Sequence, residues 1–107
     1  MVTGVTEALV ELRRRLPAEP TDRCISVPWM GWSLTLDDFL LTRMLEISVH
    51  CDDLAVSVGV ATPPLPAAVT EPVLDLLCRL AVHRHGAVAV LRALSRAERA
   101  PASIAAL

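Results

Sequence analysis

Apolar residues recur at helical spacing in four stretches of the chain, and prolines and glycines mark the breaks between them. In residues 3–16, Val5, Leu9, Leu12 and Leu16 fall three or four apart, which predicts a helix over about 4–16 that Pro17 ends. Residues 17–23 hold two prolines and read as a loop. Residues 24–29, CISVPW, lean towards β structure, and Pro28 favours an edge strand or extended linker near 24–28. Gly31 between two tryptophans signals a turn over Met30–Ser33. Thr35 is then a good N-cap, and Asp37 and Asp38 suit the first turn of a long helix. That helix should run over about 35–58, with Gly59 as its stop. VATPPLP, residues 60–66, is a stiff connector. A further helix is predicted over about 68–85, with Pro72 tolerable only in its first turn and Gly86 as its C-cap. A short helix follows over 87–95, and the tail from Ala97, without period, should lie against the surface.

Composition narrows the fold class. A chain of 107 residues suits one small domain. Its aromatic residues are Trp29, Trp32 and Phe39, so a core must come from Leu, Val, Ile, Ala and Met, which favours packed helices. The expected class is all-α, a helical bundle with a short extended segment near residues 24–28. A net charge of -2 supplies no basic patch for nucleic acid. No apolar run reaches membrane-span length, and Glu7, Glu11 and Arg13–Arg15 stand in the wrong order for a secretory signal. The expectation is a soluble, cytoplasmic protein without a membrane partner. Every basic residue is Arg and none is Lys, which reads as the bias of a GC-rich bacterial genome. Cys24, Cys51 and Cys78 are odd in number and lack CxxC spacing, so they read as small buried hydrophobes rather than a disulfide or zinc framework.

One strip of the long helix carries candidate chemistry. Arg43, Glu46, His50, Asp53 and Ser57 fall on one narrow face at 3.6 residues per turn. The rest of the helix is so apolar that part of this strip is expected to be buried, where charges need partners. A divalent metal would satisfy Glu46 and His50 together, since side chains at i and i+4 reach a common point and zinc takes nitrogen and oxygen ligands. Asp53 could hold the other imidazole nitrogen, and Arg43 supports the pair from the preceding turn. Spacing alone favours a plain hydrogen-bonded or solvated i,i+4 pair, which is common on helices, and ExxxH by itself is a weak metal motif. Cys51 points about 100° away from His50 around the helix and is not counted as a ligand. His83 and His85 read as a helix terminus, where cations are favourable, and Asp75 and Cys78 are not tied to the strip. Trp29 and Trp32 are read as plugging the bundle end, or else as lining a pocket mouth.

The stretch PWMGWSLTLDDFLLTRMLEISVHCDDLAVSVG resembles the metal-binding domain of the mycothiol-dependent maleylpyruvate isomerase family, within the DinB-like helical bundles. The resemblance rests on Pro28, Trp29 and Gly31, on Arg43, on Glu46 with His50, and on Asp52, Asp53 and Leu54. It continues through LAVHRHGAVAVLRALSRAERAP and covers about Ile25 to Pro101. It implies that Glu46 and His50 bind a divalent metal, usually zinc, with a His from an earlier helix as third ligand. It also implies mycothiol as thiol cosubstrate and a small electrophilic substrate, in isomerase or thiol-transferase chemistry. Family members carry a longer N-terminal region with that first helix and ligand, and this chain departs from them there. The expected domain is therefore a single partial one over 1–107, a truncated DinB-like four-helix bundle.

Two functions compete. One is a metal- and thiol-dependent enzyme whose site is completed by a homodimer partner or another chain supplying the missing helix. The other is a non-catalytic truncated bundle, an association module or half-site whose apolar faces invite a partner. A third reading is a start-site error in a longer protein.

Overall fold

The computed structural model describes residues 2–29 and 31–107, excluding the side chain of Val2; Met30, in the expected turn, lies outside them. The chain is mostly helical, with a small antiparallel hairpin. Its contacts fall into two compact units, Met1–Thr42 and Arg43–Leu107, and the division lies within one helix.

The first unit begins with helix α1, Val2–Arg15, followed by a 3-10 turn over Leu16–Ala18. The predicted stripe forms, but Val5, Leu9 and Leu12 are all exposed. Arg14 closes on Glu11 with bonds of 2.6 and 3.1 Å, and the guanidinium holds the Glu11 carboxyl below its usual range, with Arg15 adding to the effect. Strand β1, Cys24–Val27, pairs antiparallel with β2, Trp32–Thr35, in the register Ile25 to Leu34 and Val27 to Trp32. Gly31, at φ 71°, donates its amide to the Val27 carbonyl at 3.1 Å and so reverses the chain.

The hairpin corrects the all-α expectation. Residues 24–28 do not stand as a lone extended segment, because Trp32 and Ser33, read as turn, are already strand. Tryptophan and threonine suit a pleated strand, and pairing with β1 across a tight reversal starts the strand directly after Gly31. The tryptophan plug is also corrected: Trp29 is 81% exposed in the turn and Trp32 half exposed on β2.

Thr35 ends β2 and caps the next helix. Its Oγ1 accepts the Asp38 amide at 3.2 Å, while the amides of Leu36 and Asp37 donate to the carbonyls of Arg23 and Thr21. Helix α2, Leu36–Val58, starts from this anchor with Val27 and Leu36 buried nearby in sequence on the hairpin and first turn. It ends in a Schellman arrangement: Gly59, at φ 73°, donates to Val56, and Val60 donates to Ala55.

In the second unit α2 is followed by the connector, helix α3 over Ala67–His85, and helix α4 over Ala87–Ser95. Gly86 joins these two at φ 88°, its amide on the Val82 carbonyl. Leu45, Ala55, Val73, Ala81 and Val90 are the buried apolar residues of this unit. Pro72 lies in the sixth position of α3, past the first turn expected of it. The amide it lacks would have served the Ala68 carbonyl, and Ala68 is exposed, so water can take that place. The tail folds back as expected: the Ala105 carbonyl accepts from His85 Nε2 at 2.7 Å and from Arg84 at 3.5 Å.

Candidate metal-binding pair

The second part of α2 buries the arc around Leu45 and Ala55, with Ser48, Val49 and Cys51 half-buried beside it. Arg43, Glu46, His50, Asp53 and Ser57 lie on the opposite side, and all five are exposed. This corrects the expectation of a partly buried strip. An apolar average does not decide which face is covered; here the exposed face also carries Ile47 and Leu54, each 65% exposed, one turn either side of His50. Among the described residues no charged or polar side chain is buried.

Within the strip the side chains converge on one imidazole. His50 Nε2 lies 3.0 Å from Glu46 Oε2, and His50 Nδ1 lies 3.7 Å from Asp53 Oδ2. Each ring nitrogen thus faces a different carboxylate, from the preceding and the following turn. The α-helix supplies this without special backbone, because i–4 and i+3 positions stack on one face. As an exposed pair, Glu46 and His50 add about 0.3–0.5 kcal/mol to helix stability at most. The convergence therefore does little for stability.

The donor set suits a divalent ion. Imidazole nitrogen and carboxylate oxygen are ordinary zinc ligands at 2.0–2.2 Å, which on a tetrahedron places them about 3.4 Å apart. The observed 3.0 Å is within a few tenths of an ångström of that, and both side chains are free to open. Asp53 faces the nitrogen that a metal at Nε2 would leave for an outer partner. Arg43 has an interaction of its own within the protein, and Cys51 turns towards the half-buried side, whereas Cys24 and Cys78 are exposed, which corrects the expectation of three buried thiols. Among the described residues no group of three His, Cys, Asp or Glu is arranged to hold a metal, so His83, Asp75 and Cys78 are not drawn into a set with the pair. His85 instead anchors the tail.

A contact that spacing did not reveal lies on the other side of α2. Thr62 Oγ1 in the connector donates to Asp52 Oδ1 at 2.6 Å and ties the proline-rich segment to the helix. The two are ten residues apart across a glycine stop, so no helical period links them. The connector, α2 and α3 line an open apolar cleft of about 460 Å³ there.

In comparisons with known proteins, no family model matches the chain, and neither a curated protein nor a solved structure does.

Proposed function

We propose that Glu46 and His50 are two ligands of a divalent metal site, with zinc the best-suited ion, in a bundle of the mycothiol-dependent maleylpyruvate isomerase type. The observation that carries this reading is the imidazole flanked by two carboxylates, hydrogen-bonded to Glu46 at 3.0 Å and with Asp53 3.7 Å from its other nitrogen. Glu46 and His50 would hold the ion, which would take the place of the Nε2 proton now shared with Glu46, and Asp53, 3.7 Å from Nδ1, would close in to accept from Nδ1–H. The chemistry a bound ion supplies is to keep a thiol such as mycothiol deprotonated at neutral pH for attack on an electrophilic substrate. The third ligand comes from outside the pair's own helix, from a second copy or a partner chain. Isothermal titration of zinc into chelator-treated protein tests the pair. Binding that is lost in both Glu46→Ala and His50→Ala supports it, and binding unchanged by either removes it.

A second reading is favoured by a separate observation, the exposure of Ile47 and Leu54 beside His50. On this reading the strip is the polar centre of an association surface, and a partner covers the two apolar residues. Ile47→Ser with Leu54→Ser would then abolish self-association or partner capture, in the presence and in the absence of zinc alike.

A further inference from the structure

We propose that the cleft between α2 and α3 binds a small amphiphile with an apolar body and a cationic amine head. Its walls are Val49 from α2, Leu65 from the connector, and Val73, Leu74 and Leu77 from α3. The volume of about 460 Å³ falls in the range of small-molecule pockets, where apolar walls and a few fixed polar groups are usual.

The polar groups decide the ligand's chemistry. The Ser48 hydroxyl, on the cleft wall, donates to the Met44 carbonyl at 2.7 Å, and the Thr70 hydroxyl donates to Pro66 at 3.2 Å. Both hydroxyl protons are thereby spent on backbone carbonyls. The lining includes one charged side chain, the Asp52 carboxylate, and no basic residue. Thr62 fixes that carboxylate through Oδ1, which leaves Oδ2 to accept from a ligand. A carboxylate held at the rim of an apolar cleft attracts a cation and repels an anion. An alkylamine is protonated at neutral pH, like a lysine side chain. Asp52 stands about 200° around α2 from His50, so this cleft and the metal pair occupy different faces and can be tested apart.

The test is a titration of the full chain with hexylamine, hexanol and hexanoate, followed by the methyl signals of the cleft leucines and valines. Hexylamine should bind about fivefold more tightly than hexanol, the upper end for one partly exposed ion pair, and hexanoate most weakly. Asp52→Asn should bring hexylamine within about twofold of hexanol while hexanol binding stays. Leu74→Arg, at an exposed wall position, should abolish hexylamine binding with the helical circular dichroism unchanged. Equal binding of all three probes, or an Asp52→Asn variant that keeps the amine preference, would overturn the proposal. So would a chain that binds none of them; if that chain is also a dimer made monomeric by Leu74→Arg, the occupant of the cleft is a second copy.

Discussion

His50 presents Nε2 to Glu46 at 3.0 Å and Nδ1 to Asp53 at 3.7 Å, on a face of α2 that buries none of the three. A helix needs no such arrangement for its own stability, and exposed pairs of this kind contribute little. What the geometry does provide is an imidazole with a carboxylate beside each ring nitrogen. Because the three side chains are exposed and contribute little to stability, they can be substituted without collapse of the fold.

Glu46→Ala and His50→Ala should each lower zinc affinity by at least about tenfold to a hundredfold, since each removes one of two ligands. Both positions are exposed, so unfolding by urea should change by no more than about 0.5 kcal/mol. Titration calorimetry and denaturation on the same samples would check both statements. A large loss of stability would mean the pair is structural after all.

Asp53→Asn should act through His50. The amide offers a weaker acceptor to Nδ1–H, so zinc affinity should fall by about tenfold, less than on loss of His50 itself. Unaltered affinity would show that Asp53 does not orient the ring.

Thr35→Ala removes the oxygen that accepts the Asp38 amide at 3.2 Å, at the point where β2 passes into α2. The expected loss is about 1 kcal/mol, read from urea midpoints, with Thr35→Asn retaining most of the stability.

Glu11 gives a pH-dependent signal. Its carboxyl is held below the usual range chiefly by the hydrogen bond to Arg14, so the folded value lies below the unfolded one. The contribution is present above the ordinary glutamate range and is lost as pH falls through the folded value. A small drop in helical ellipticity on acidification should therefore be reduced in Glu11→Gln.

The helices were readable from local pattern. Spacing of Val5, Leu9 and Leu12, the cap at Thr35 and the stops at Gly59 and Gly86 place helix ends within two residues of α1, α2, α3 and α4. Those signals are short-range and physical: a periodic apolar face, a side-chain acceptor, a left-handed backbone. The hairpin was half legible. Cys24–Val27 looked extended, but its partner Trp32–Thr35 was hidden, since the turn signal at Gly31 and the cap signal at Thr35 left no strand-length run between them. The strip of Glu46, His50 and Asp53 was legible as a face, and its side was not. Periodicity groups residues on a helix without saying which group is covered, and Ile47 and Leu54 made the exposed side look like core. The Thr62–Asp52 bond and the cleft beside it depend on where the proline connector returns, which no period encodes.

The most direct test of the metal reading is the metal content of the purified chain, measured by mass spectrometry of the elements alongside its molecular mass in solution. The account predicts bound divalent metal, chiefly zinc, in an associated species, and its loss in both Glu46→Ala and His50→Ala. A metal-free chain that takes up no zinc on reconstitution, with the two variants indistinguishable from it, would contradict the account.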